Sequence, residues 1–266
     1  MKRQQSVGLV VEGNATSSAV LRLPSVLDEI GPVKAGVQRV ARRLSNFLGA
    51  GYPVATYDEL QDARLILLRV PDESVARIVS ELRSANLVLK DSLIVLCESC
   101  MPSSVLAPLA ECGAGTASVV AFPTPRKRWF VVEGHIAAVR QIKRLLDRSD
   151  ARVFELKPGA KPLYFAAQLL ATGVPIHLMT SAQQALRRAG IKGNHLHELL
   201  EEMSFEMFRS FSNGARFSWP MARGGCPPET TDEYLGLLRA HHPEIAADLE
   251  EQLSFASRRT SSRKSD

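Results

Sequence analysis

Aromatic residues are scarce in this chain, at 6%, and it has only four cysteines. Two of these form one C-x-x-C, Cys97 and Cys100 in "LIVLCESCMPSS", while Cys112 and Cys226 stand apart. A structural zinc site wants a second close pair, and a redox dithiol wants a thioredoxin-like setting. Neither is present, so no metal is expected, and Cys97, which closes an apolar run, reads as a small buried thiol. Uninterrupted apolar runs of membrane-spanning length are also lacking, which speaks against a transmembrane helix. The opening "MKRQQSVGLVVEG" is basic and then apolar, as a signal peptide is. Its apolar stretch, however, lasts only about five residues before Glu12, and no small-residue cleavage site follows. A cytoplasmic protein with no membrane partner is expected.

The chain also lacks a charged body. Its net charge of +5 comes entirely from its two ends. Lys2 and Arg3 lie in the lead-in, and Arg258, Arg259, Arg263 and Lys264, offset by Asp266, lie in the tail "SFASRRTSSRKSD". The rest is close to neutral, so a groove for phosphate backbones and a specific nucleic-acid partner are not indicated. Residues 254–266, rich in serine and arginine, are expected to be a disordered basic tail.

What is present is a soluble-type composition, 45% hydrophobic and 23% charged over 266 residues, enough for one large domain or two ordinary ones. Short apolar runs alternate with helical patterns up to about residue 157. "VGLVV", "GPVKAG", "ARLILLRVPD", "SLIVLC", "ASVVAFPTP" and "RWFVVEG" read as strands. "VQRVARRLSNFLGAG", "ESVARIVSELRSAN" and "HIAAVRQIKRLLDRS" read as helices. Such alternation predicts an α/β domain with a mainly parallel sheet, residues 1–157. Residues 158–253 read as all-α. The stretch "KPLYFAAQLLATGVPIHLMTSAQQALRRAG", interrupted at Gly173 and Pro175, is so apolar that it calls for burial in its own bundle or against another subunit.

The segment "SVGLVVEGNATSSAVLRLP" has the outline of a dinucleotide turn, namely an apolar strand, a glycine and a helix start. A G-x-G-x-x-G pattern placed here puts Val11, Gly13 and Thr16 at the three glycine positions, and only Gly13 remains. That glycine is the one that lets the backbone approach a pyrophosphate. Glu12 sets a carboxylate beside that place, whereas Asn14, Thr16, Ser17 and Ser18 offer donors and a helix N-terminus attracts anions. Two readings stand: a modified phosphate loop, or a strand–turn–helix with no ligand. The second strand lacks the acid that grips the ribose of NAD. Arg39 follows it instead, suited to the 2′-phosphate of NADP or simply to a solvated helix face, as are Arg42 and Arg43.

Together, "VGLVVEG", "LGAGYPVATYDELQDARLILLRVPD", "KPLYFAAQLLATG" and "WPMARGG", in that order, resemble one family. It is the two-domain Rossmann-like, NAD(P)-dependent oxidoreductase type with a helical C-terminal domain of unknown function, related in architecture to 6-phosphogluconate dehydrogenase-like and pyrroline-5-carboxylate reductase-like proteins. The resemblance implies a Rossmann-like domain followed by a helical dimerisation domain and hence a homodimer. It also implies NADP bound by Gly13, Asn14, Ala15, Thr16, Arg39, Val70 and Pro71, and transfer of a hydride to a small carbonyl or imine substrate. The family's usual Tyr-His pair is Tyr164-Phe165 here, Gly173 stands near its usual asparagine, and "MARGG" keeps Arg223 with Gly225 in place of an acid. Lys161 and Tyr164 remain as candidate catalytic groups. These departures leave open an inactive, dimeric binding or scaffolding protein. His195 and His197, two apart on a helix, face different sides and make a poor metal pair.

Overall fold

The computed structural model describes residues 6–13, 18–122, 128–212 and 228–262. Backbone contacts divide the chain into two compact units, residues 1–167 and 168–266. The first is built on an eight-stranded sheet of β1 (Val7–Val11), β2 (Ile30–Ala35), β3 (Tyr52–Val54), β4 (Leu65–Arg69), β5 (Leu93–Cys97), β6 (Gly115–Ala121), β7 (Trp129–Gly134) and β8 (Arg152–Glu155). Its strand order is β3-β2-β1-β4-β5-β6-β7-β8. Every neighbouring pair is parallel except β6 and β7, which run antiparallel with Val119 opposite Val132. This is the mainly parallel α/β sheet that the alternating pattern predicts, in the Rossmann-like form that the resemblance implies.

β1, β4 and β5 are nearly continuous apolar runs because both of their faces are covered. Alternate residues serve opposite layers. Val7, Leu9, Leu67 and Val95 pack with Ala41 and Leu44 of α2 (Gln38–Leu48) and Ile142 of α5 (Ile136–Asp147). Val10, Ile66, Leu68 and Ile94 pack with Val75, Ile78 and Leu82 of α3 (Val75–Ser84). Two short helices, α1 (Pro24–Leu27) and α4 (Ala107–Ala110), complete this layer set.

Two edge strands escape the sequence pattern. β3 has three residues with a central proline, and β8, "RVFE", is half exposed, so neither carries a clear apolar signature. Gly51, at φ +75°, brings β3 in close. A Cβ there would lie 2.6 Å from Ile30 Cγ2 and 2.7 Å from the carbonyl of Gly31.

The helical stretch is not interrupted at Gly173 and Pro175. α6 (Lys161–Gln168) continues through a π-turn, Leu169–Gly173, into α7 (Val174–Arg188). The wider turn absorbs the missing proline N–H, which would otherwise break an α-helix. α8 (Asn194–Ser212), α9 (Pro228–His241) and α10 (Pro243–Ser262) follow. α10 carries helix into the stretch from residue 254 expected to be disordered, and residues 263–266 lie outside the described residues. Much of the apolar helix is also left uncovered by the described residues. Leu163 is 73% exposed, Leu169 62% and Ile176 62%. Among the described residues, Lys161–Arg188 is the one helix long and apolar enough to cross a bilayer by length and composition.

Candidate functional site

In an open parallel sheet, ligands bind beyond the carboxyl ends of the strands where the chain's direction of travel reverses. Here that place is beyond β1, which has β2 on one side and β4 on the other. Gly13 turns the chain there at φ +64°, and a Cβ added to it would meet Pro71 Cγ at 3.4 Å. Gly13 and Pro71, both expected at the site, are therefore neighbours. The side chain of Val70 is 1% exposed and belongs to the core, so only its backbone can face a ligand. Asn14, Ala15 and Thr16 lie outside the described residues, as do Arg223, Gly225 and Cys226. Among the described residues after the turn, no helix begins before Pro24. Residues 19–22 form turns, and α1 has only four residues beginning at Pro24. Leu23 makes no side-chain cap, and a helix of four residues carries little dipole.

The crevice instead holds paired charges. Glu12 Oε1 lies 2.5 Å from Arg77 Nη2, and Arg77 Nη1 lies 2.7 Å from Glu81 Oε1. The Tyr57 hydroxyl donates to Glu81 Oε2 at 2.7 Å. Hydrogen bonds to Glu12 and Glu81 hold the Arg77 guanidinium ionised, and burial first, then Glu81, push the Tyr57 phenol up. Burial pulls the Glu81 carboxyl up, but Tyr57 and Arg77 together outweigh it and leave it below the usual carboxylate range. Glu12 is thus not the unpaired charge that its place in the turn suggested. On the other side, Arg69 Nε sits 3.1 Å from Glu98 Oε2, within ion-pair range but off the angle of a hydrogen bond. Glu98 Oε1 accepts from the backbone N–H of Ala19 at 2.7 Å. Glu98 holds φ +55°, a left-handed conformation costing a non-glycine residue about 1–3 kcal/mol. Arg39 is exposed in the first turn of α2 and makes no ion pair among the described residues.

Lys161 is 2% exposed. Its Nζ donates to the carbonyl of Met101 at 2.9 Å. Burial pulls its pKa down to about 8, against the opposite pull of Glu133 and then Asp72. Those two carboxylates are themselves anchored. Asp72 accepts from Ser99 Oγ at 2.5 Å and from the N–H of Cys100 at 3.2 Å. Glu133, 1% exposed on β7, accepts from the N–H of Ser103 at 3.0 Å and from that of Gly159. The Tyr164 hydroxyl, one turn along α6 from Lys161, is buried with no hydrogen-bond partner among the described residues, and burial pushes its pKa up. Its ring meets Phe165 edge-on, with centroids 5.3 Å apart. Lys161 and Tyr164 are therefore buried polar groups with donors still to place.

Sequence reasoning passed over Arg69, Asp72, Arg77, Glu98 and Glu133. A signal was present for two of them, since Arg69 and Glu133 are charges inside otherwise apolar strands, "LILLR" and "WFVVEG". At Gly173 an added Cβ would lie 2.7 Å from Leu169 Cδ1, the end of an exposed, flexible side chain that would have to turn aside. In the helical unit, an apolar cavity of 510 Å³ opens between α7, α9 and α10, lined by Leu178, Met179, Ala182, Leu238, Ile245 and Leu249 among others. It contains none of these candidate groups.

Residues 2–120 match the Rossmann-like domain, and residues 128–226 match the Domain of unknown function (DUF2520). No curated protein matches the chain. Among solved structures, protein TM1727 from Thermotoga maritima superposes with a TM-score of 0.65 at 17% identity, over 98% of this chain and 100% of that one. An imine reductase from Aspergillus terreus in complex with NADPH4 gives 0.71 at 13% identity, over 98% and 94%. An imine reductase from Myxococcus stipitatus in complex with NADP+ gives 0.64 at 12% identity, over 95% and 94%. At these identities the likeness is one of fold.

Proposed function

We propose that this chain, which belongs to the family joining a Rossmann-like domain to a DUF2520 domain, is an oxidoreductase. It binds a nicotinamide dinucleotide beyond β1 and reduces a small carbonyl or imine substrate. The observation that carries this reading is the bare-backbone turn at Gly13, closed against Pro71, at the strand switch where this fold takes dinucleotides. Full-length likeness to imine reductases in complex with NADPH4 and NADP+ supports it. When bound, the reduced nicotinamide supplies a hydride to the substrate carbon. The chain's own part is to bring a proton to the substrate's oxygen or nitrogen, for which Lys161 and Tyr164 are the candidates. Arg39 is an exposed, solvent-screened cation beside β2, near where the 2′-phosphate of NADP would lie, and the carboxylate of Glu12 opposes that phosphate. The paired charges in the crevice favour a second reading, a relative that keeps the fold and has lost the cofactor.

Mass spectrometry of small molecules released from gently purified protein tests the two. A nicotinamide dinucleotide in near-stoichiometric amount is the expected result. Its absence, with no binding on titration, would leave the second reading.

The uncovered apolar face of the helices points to a second copy of this chain. Leu163, Leu169, Ile176, Met203, Phe205 and Phe208 are each more than half exposed, and obligate dimers bury about 2,000 Å² or more of such surface. Light scattering at low micromolar concentration should give twice the chain mass. A well-behaved monomer would refute the dimer, and capture by lipid vesicles would assign the face to a bilayer.

A further inference from the structure

β2 ends without an acid, yet a carboxylate stands where that acid would hold its own. A Cβ built on Gly36, the first residue past β2, lies 3.5 Å from Glu12 Oε1. A glutamate rooted at that position would carry its oxygens about 3 to 3.6 Å from its Cβ. Glu12 reaches the same point from the neighbouring strand, since Val11 pairs with Ala35 in parallel register and the next residue on each strand is adjacent. The placement is fixed from both ends. The backbone N–H of Glu12 extends the β1–β4 ladder to the carbonyl of Arg69 at 3.1 Å, and Arg77 holds Oε1 at 2.5 Å. With Oε1 engaged, Oε2 remains to accept from a ligand hydroxyl.

We infer that Glu12 takes over the grip on the adenosine ribose that an acid at the end of β2 normally provides, and that this chain prefers NAD to NADP. The inference rests on the dinucleotide reading above and decides which form of it is bound. A free 2′-hydroxyl donates to a carboxylate, whereas a 2′-phosphate brings like charge to it. The surrounding cations do not reverse this. Arg77 is shared between Glu12 and Glu81. Lys34 donates to the carbonyl of Ala35 at 2.7 Å and lies over the Tyr57 ring, 5.1 Å from its centre. Arg39 is a single exposed charge, screened by solvent.

Calorimetric titration of the full chain with NAD and with NADP tests the inference without any assay of turnover. NAD should bind tighter by about tenfold or more. In Glu12→Gln the amide can still meet a hydroxyl but no longer repels a phosphate, so the preference should shrink by a similar factor or invert. Arg39→Ala should leave the ratio within about twofold. Tighter NADP binding by the unaltered protein, or an unchanged ratio in Glu12→Gln, would overturn the assignment of Glu12 while leaving the dinucleotide reading standing. If neither form binds, the dinucleotide reading falls and the inference falls with it.

Discussion

Replacing Lys161 by methionine is expected to lower turnover by about 10²–10⁴-fold, the usual contribution of a positioned proton donor. It should also erase the alkaline limb of the pH profile. The buried ammonium releases its proton near pH 8, so reduction by the unaltered protein should fall as pH climbs past about 8. The methionine variant should be flat there. Stability follows the same group with a definite sign. Its folded pKa lies below the unfolded value of about 10.4, so below pH 8 both states hold the proton and the burial penalty is felt in full. Between about pH 8 and 10.5 the unfolded chain binds the proton that the folded chain has released, and stability rises with pH across that window. Denaturant titrations at pH 7 and pH 10 should show this rise in the unaltered protein and lose it in the variant. A retained alkaline limb in the variant would remove Lys161 from the chemistry.

The second large effect is expected at the turn. Valine at position 13 must adopt φ +64°, a conformation that costs about 1–2 kcal/mol for a residue with a Cβ and is worse for a branched one. It also sets two methyl groups where a ligand backbone would approach. Binding of whichever nicotinamide dinucleotide the protein prefers should weaken by about 100-fold or more, while the thermal midpoint drops by only a few degrees. Affinity within about threefold of the original would show that no phosphate passes this turn.

The difference between what could be read from the residues and what could not has a physical cause. β1, β4 and β5 announce themselves because burial on both faces demands unbroken apolar runs, and α2, α3 and α5 because one apolar stripe repeats at helical spacing. β3 and β8 lie at the sheet's edges, where exposure permits proline, arginine and glutamate. The turn at Gly13 was legible as local backbone chemistry. The pairings of Glu12 with Arg77 and of Glu98 with Arg69 were not, because each joins side chains from different crossings of the sheet, and no local pattern records which guanidinium meets which carboxylate. Lys161 was legible as a candidate, but its depressed pKa depends on burial beside residues far back in the chain, the Met101 carbonyl and Glu133 among them.

The position of β1 between β2 and β4 also bears on how the molecule is made. β1 has one flank filled by β2 soon after it emerges, but its other flank stays open until residues 65–69 have been synthesised and can pair with it. Until then a bare row of backbone groups is available to any passing strand, and that interval is when misassembly is most to be expected. Damage to the two ends of the sheet-forming segment is correspondingly unequal. Proteolysis that removed β8 would strip one border strand and leave the other seven still paired with one another. Loss of the first eleven residues would take out the strand that joins β2 and β3 to the rest, and the sheet would come apart into two fragments.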